Sequence, residues 1–134
     1  MYDYRVKNVV KVVDGDTIDV EIDLGFSLTK KERVRVAGID TPESRTRNKV
    51  EKTYGIAAKL YLEGILRNAT SLRVKTSKDG KYGRMLGWLY VDGAEKSVNQ
   101  TMIDEGYAWE YSGGTKKDFD RDKHELDALR KSTI

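Results

Sequence analysis

From residue 17 to residue 24 the chain alternates without a break: Ile18, Val20, Ile22 and Leu24 are apolar, and Asp19, Glu21 and Asp23 between them are acidic. A repeat of two puts successive side chains on opposite faces of a strand, so this segment buries one face and wets the other, the pattern of an antiparallel sheet. Before it, Val6, Val9, Val10, Val12 and Val13 form a β-branched run that ends at Asp14-Gly15, a dipeptide of tight hairpin turns. After it, residues 24–32 read as a connection and residues 33–39 (RVRVAGI) as a third strand, with Val34 and Val36 on one face and Arg33 and Arg35 on the other. A three-stranded meander follows.

The period changes at Tyr54. Tyr54, Ala57, Ala58, Tyr61, Leu62, Ile65 and Leu66 recur at helical spacing and predict an amphipathic helix. Residues 71–77 and 84–91 read as fourth and fifth strands separated by the turn DGKYG, and a second Asp-Gly turn stands at Asp92-Gly93. Ser97 and Gln100 have capping-box spacing for a short helix that Gly106 ends. Residues 118–131 predict a last helix with Phe119, Leu126 and Leu129 on one side. The expected architecture is a single α+β domain over residues 1–134, a five-stranded OB-fold β-barrel with three helices, one of them between strands three and four.

With no cysteine among its 134 residues the chain forms no disulfide, and no run of 18 apolar residues or apolar leader is present. These features lead us to expect a soluble, cytoplasmic monomer that does not enter a membrane. The net charge of +3 conceals an uneven distribution. Residues 1–24 carry three basic and six acidic side chains, residues 25–90 fifteen and six, and residues 91–134 seven and ten. A basic block between acidic flanks suits a polyanion-binding face.

Three stretches carry candidate chemistry. In VVDGDTIDV, residues 12–20, Asp-x-Asp can present oxygen to a cation. In RVRVAGIDTPESR, residues 33–45, Asp40 stands where the third strand runs out, Pro42 holds Thr41 extended so that its carbonyl can face outward, and Glu43 follows. If strands two and three pair, Asp16 and Asp40 share one end of the sheet. Two carboxylates ~4 Å apart repel by roughly 4 kcal/mol at an effective dielectric of 20, so the crowding needs a cation or arginines to offset it. Ligands that are all oxygen favour a hard ion over zinc, and the spacing does not match an EF-hand loop. In SKDGKYGRMLGWLY, residues 77–90, Lys81, Tyr82 and Arg84 follow a glycine turn, and Arg84 and Arg35 each offer a planar fork of donors for phosphate. A metal, carboxylates and two arginines around a phosphate form a kit for phosphodiester hydrolysis.

In order and spacing, VVDGDTIDV, RVRVAGIDTPE and KYGRMLGWLYVDG resemble the staphylococcal nuclease (thermonuclease) family, the resemblance running from about Lys7 to Tyr111. It implies the OB barrel plus three helices and a calcium-dependent nuclease that cleaves DNA and RNA to 3′-phosphate ends, with magnesium or manganese as the less favoured cations. It implies that Asp16, Asp40 and the Thr41 carbonyl bind calcium, with Glu43 near it through water. It further implies that Arg35, Glu43 and Arg84 are catalytic and that Lys81 and Tyr82 contact substrate. The basic loop 44–52 (SRTRNKVEK) takes the place of a mobile loop at the edge of the site. The family's stacking tyrosines are matched loosely by GYAWEYSGG, where Tyr111 is the substrate-binding candidate and Trp109 is expected in the core. His124, the single histidine, falls in the last helix, outside all three blocks. Two other readings stand beside the nuclease: a non-catalytic nucleic-acid-binding or scaffold module, and a hydrolase of a small phosphodiester. The first has no chemical need for Asp16, Arg35, Asp40, Glu43 and Arg84 together, and the second has no need for so long a basic block.

Overall fold

A computed structural model describes residues 2–77 and 85–111 of the chain. Strands β1 (Tyr2–Asp14), β2 (Thr17–Gly25) and β3 (Leu28–Val36) form the expected antiparallel meander, and β4 (Ile39–Asp40) follows. Helix α1 (Lys49–Asn68) precedes β5 (Leu72–Thr76) and β6 (Met85–Val91), and α2 (Val98–Asp104) precedes β7 (Trp109–Glu110). The five long strands close into a barrel in the order β1-β2-β3-β6-β5, with β4 and β7 as a separate two-residue pair. The closure has one parallel seam, where Val34, Arg35 and Val36 of β3 meet Met85, Leu86 and Gly87 of β6. Three bulges bend β1, so that Tyr2 to Arg5 pair with β5 while the rest of the strand pairs with β2. Two of the three expected helices are seen; the third, at residues 118–131, and the turn DGKYG lie outside the described residues.

The alternation works as the sequence predicts as far as Ile22, whereas Leu24 at the end of β2 is exposed. Ile18, Val20, Ile22, Val34, Val36, Val74 and Leu89 are each 1% exposed or less and fill the barrel. Each such side chain contributes about 1.5–3 kcal/mol of burial. Leu62 of α1 and Met102 of α2, both fully buried, join this core. Among the described residues no helix is long and apolar enough to cross a membrane.

Four local expectations are corrected. The two residues between β1 and β2 are Gly15 and Asp16, with Asp14 paired to Thr17, so the turn is one residue later than Asp14-Gly15 suggested. Gly15 does not adopt a positive φ. It is required for space: a Cβ there would stand 2.8 Å from the Ala58 Cβ and 3.1 Å from the Thr41 Cγ2. The expected connection at residues 24–32 shrinks to a turn at Phe26 and Ser27, whose φ of 53° and 64° are left-handed, and β3 begins at Leu28. Residues 28–31 are exposed, so no alternation marks them; ladder bonds to β2 make them a strand. The third strand stops at Val36, and Ile39 and Asp40 turn away to pair with β7. Helix α1 starts at Lys49 rather than Tyr54, because the Asn48 side chain accepts from the Val50 and Glu51 N–H groups at 3.1 Å each. The second half of the basic loop 44–52 is thus the first turn of α1.

Asn99, buried on α2, stitches the parallel seam. Its amide donates to the Ala37 carbonyl at 2.8 Å and the Gly87 carbonyl at 3.1 Å, and its oxygen accepts from the Leu89 N–H at 3.0 Å. Replacing it with Leu strands a buried donor and a buried acceptor, so Asn99→Leu should lower stability by about 3 kcal/mol in urea unfolding. A loss below about 1 kcal/mol would contradict this role.

Two aspartates, Asp92 exposed and Asp19 partly buried, predict the acid limb. Asp92, at φ 52° in the second Asp-Gly turn, accepts from the Thr70 hydroxyl and from the Thr70 and Ser71 N–H groups, which hold its carboxyl below the ordinary 3.8. Asp19 is likewise held below 3.8, chiefly by its hydrogen bond from Arg33. The unfolded chain takes up these protons first as pH falls. Their stabilisation is therefore complete above the ordinary value and is lost between it and the lower folded value. The melting temperature of the Asp19→Asn/Asp92→Asn variant should fall less steeply below pH ~4 than that of the parent.

Candidate active site

Three segments meet at one end of the barrel: the β1–β2 turn, the end of β3, and the chain from Asp40 to Ser44. Their meeting is set by register. Thr17 and Arg35 are cross-strand partners, and one step on, the Val36 N–H donates to the Asp16 carbonyl at 2.8 Å. Arg35 lies on the face opposite Val34 and Val36, so the alternation that fills the core also points this side chain out of it.

Arg35 Nη1 donates to the Val36 carbonyl at 2.8 Å. That bond sets the guanidinium with Nη2 3.5 Å from Asp16 Oδ2 and 3.6 Å from Asp40 Oδ1. The Thr17 hydroxyl steadies Asp16 at 3.0 Å, and the Thr41 N–H steadies Asp40 at 3.0 Å. Asp40 is completely buried, and Thr41 Oγ1 is buried with no hydrogen-bond partner among the described residues. Above this floor opens a cavity of about 410 Å³ lined by Asp14, Asp16, Thr17, Arg35, Thr41, Glu43, Arg45 and Tyr111. The Tyr111 ring centroid is 5.8 Å from the Arg35 Cζ, and the Tyr111 N–H donates to the Gly38 carbonyl at 2.9 Å.

Glu43 is exposed on the rim, and its backbone is fastened from three sides. Its N–H donates to Glu51 Oε2 at 3.0 Å, the next N–H, of Ser44, donates to Asp14 Oδ1 at 3.3 Å, and Gly55 of α1 lies against the peptide between them. Asp14 was read as a turn residue and as half of the Asp-x-Asp pair, but not as a support for the Ser44 peptide, because that partner is 30 positions away. Arg45 and Thr17 were likewise missed as site residues; Arg45 was visible only as one charge in the basic loop.

Of the residues singled out in the sequence, the fold brings Asp16, Arg35, Asp40, Thr41, Glu43 and Tyr111 together. Lys81, Tyr82, Arg84 and His124 lie outside the described residues. Trp109 is half-buried in β7 opposite Asp40, and is not among the side chains that fill the core.

No group of three or more histidine or carboxylate side chains gathers closely enough to hold a metal ion among the described residues. Two carboxylates do converge, on one cationic nitrogen, and the Thr41 N–H donates to one of them, Asp40. A pair of carboxylates with oxygen donors alone fits a hard dication, whose remaining positions water can fill.

The two glycines of α1 test how the helix supports the rim. A Cβ at Gly55 would stand 2.3 Å from the Glu43 carbonyl oxygen, whereas one at Gly64 meets nothing within 4 Å. Gly64→Ala should stabilise by about 0.5–1 kcal/mol through helix propensity. Gly55→Ala should instead destabilise by about 2 kcal/mol, since backbone has to move. Equal effects in urea unfolding would show that α1 does not brace Glu43.

The family model described as staphylococcal nuclease homologue matches residues 33–133. An uncharacterized protein of Methanocaldococcus jannaschii is 30% identical over 131 residues, covering 82% of this chain and 61% of the relative. The endonuclease YncB of Bacillus subtilis is 37% identical over 101 residues, 73% of this chain and 44% of its own. The SPbeta prophage-derived endonuclease YokF of Bacillus subtilis is 35% identical over 123 residues, 86% and 39% respectively. The chain thus spans about half the length of the curated relatives it matches.

Proposed function

Because the chain belongs to the staphylococcal nuclease homologue family, we propose that it is a metal-dependent nuclease that hydrolyses phosphodiester bonds of DNA and RNA to leave 3′-phosphate ends, with calcium as its cation. The observation that carries this reading is the Arg35 guanidinium set between Asp16 and Asp40 on the floor of an open cavity, with Glu43 and Arg45 on the rim. The relatives named as endonucleases support it. A non-catalytic module has no use for this convergence. The same reading takes the protein as a cytoplasmic monomer.

Arg35 is placed to receive the equatorial oxygens of a phosphate and to stabilise the charge they gain as water adds to phosphorus. Arg84, assigned by resemblance, is the second fork on that phosphate. Glu43 orients the attacking water and accepts its proton, a new P–O bond forms, and the P–O5′ bond breaks, the departing oxygen leaving as a hydroxyl once protonated. Asp16, Asp40 and the Thr41 carbonyl would hold calcium, with Glu43 near it through water. When bound, the cation supplies positive charge against the phosphate. Tyr111, beside Arg35, offers a ring for a base or sugar, and Lys81 and Tyr82 are assigned to substrate by resemblance.

Incubation with plasmid or single-stranded DNA should degrade it when calcium is present, and a chelator should stop the reaction. DNA left intact with calcium, magnesium and manganese alike overturns the proposal. Glu43→Gln and Arg84→Ala should each lower kcat by at least ~100-fold, measured on oligonucleotides whose product ends are analysed for 3′-phosphate. Near-normal turnover in either variant removes that residue from the mechanism.

A further inference from the structure

A second concavity, of about 610 Å³, runs between β1 and α1 and has no part in the chemistry above. Its rim carries Lys7 and Lys11 from the strand and Lys59 and Arg67 from the helix. One carboxylate, Glu63, lies among them, in an exposed pair with Arg67 at 3.7 Å that a competing anion can displace. Lys7 and Lys11 come from the strand wall and Lys59 and Arg67 from the helix wall, so cationic side chains line both sides of the groove. Beyond Arg5, β1 has no second strand beside it among the described residues, which leaves that edge of the strand open to the groove.

The groove lies close to the catalytic cavity along both elements. On β1, Val12 lines the groove and Asp14 lines the cavity; on α1, Lys59 lines the groove and its neighbour Ala58 packs against Gly15 of the β1–β2 turn. We propose that this groove binds the sugar-phosphate backbone of a nucleic-acid strand beyond the bond being cut, holding a long substrate along β1 and α1. This rests on the reading of the cavity as a nuclease site and adds to it a subsite for length. Cations on both walls neutralise successive phosphates, and the half-exposed Val9 and exposed Val10 between them offer apolar contact for sugars.

The test is binding of a fluorescein-labelled deoxythymidine oligonucleotide of about 16 nucleotides, the upper site size of one OB fold. Anisotropy is read across a salt series with chelator present, so that no cleavage is required. Lys7→Gln/Lys11→Gln should lower the salt dependence of log K by about 1.4, and adding Lys59→Gln by about 0.7 more, the single-strand value per phosphate contact. Lys30→Gln/Lys31→Gln, on exposed β3 and equal in charge change, should leave the slope unchanged. Equal slopes in the two double variants, each checked for a cooperative thermal melt, overturn the groove and leave the nuclease reading standing. Intact DNA in the metal assay with groove-dependent binding retained overturns the nuclease reading and leaves the groove standing.

Discussion

A carboxylate with no exposure to water is costly unless a positive charge answers it, and Asp40 is such a group. It sits at the end of a barrel whose interior is apolar, and among the described residues the Arg35 guanidinium answers it and also answers Asp16. Removing one member of such a set leaves a buried charge uncompensated. The arrangement depends on parity. Val34 and Val36 point into the core, so Arg35 between them cannot, and a slip of one residue would exchange their places. Core packing and site assembly are therefore one constraint, expressed on two faces of the same strand.

The rim depends on contacts between distant parts of the chain. Helix α1 touches the β1–β2 turn through Ala58 and Gly15, and touches the Glu43–Ser44 peptide through Gly55. The Asn48 cap places Glu51 in the first turn, from which its carboxylate reaches the Glu43 N–H. Across the barrel, Asn99 of α2 holds Ala37 and Gly87, so the chain leaves β3 at a defined point before it turns to Asp40. Each of these supports is a small residue or a polar side chain at a close approach, and together they fix where the loop residues stand. The basic block of residues 25–90 acquires a location in the same way. Part of it, Arg35 and Arg45, lies at the cavity, and Lys59 and Arg67 lie along the groove between β1 and α1.

Much of this was legible in one dimension. Strict alternation in β2 and the helical period from Tyr54 depend on local geometry alone, so the barrel strands and α1 could be read directly. So could the Ser97 cap, whose oxygen accepts from the Gln100 N–H three residues on. Local signals failed where pairing overrode them. Residues 28–31 became strand because β2 lay beside them, and Gly15 proved to be a matter of clearance rather than of dihedral freedom. Asp14 and Arg45 could not be assigned to the site because nothing near them in the chain announces their neighbours.

The sequence by itself determined which residue types stand ready for the chemistry and on which face of each strand they project, since a period of two is a property of the backbone. It also determined the family, because three separated blocks keep their order and spacing. Only the tertiary structure decided that Asp16 and Asp40, 24 positions apart in the chain, share one guanidinium, that α1 braces Glu43, and that a cationic groove lies between β1 and α1 near the cavity. The reason is physical: register, barrel closure and helix docking are set by contacts summed over the whole core. Distances between side chains brought together by those contacts have no counterpart in the order of residues along the chain.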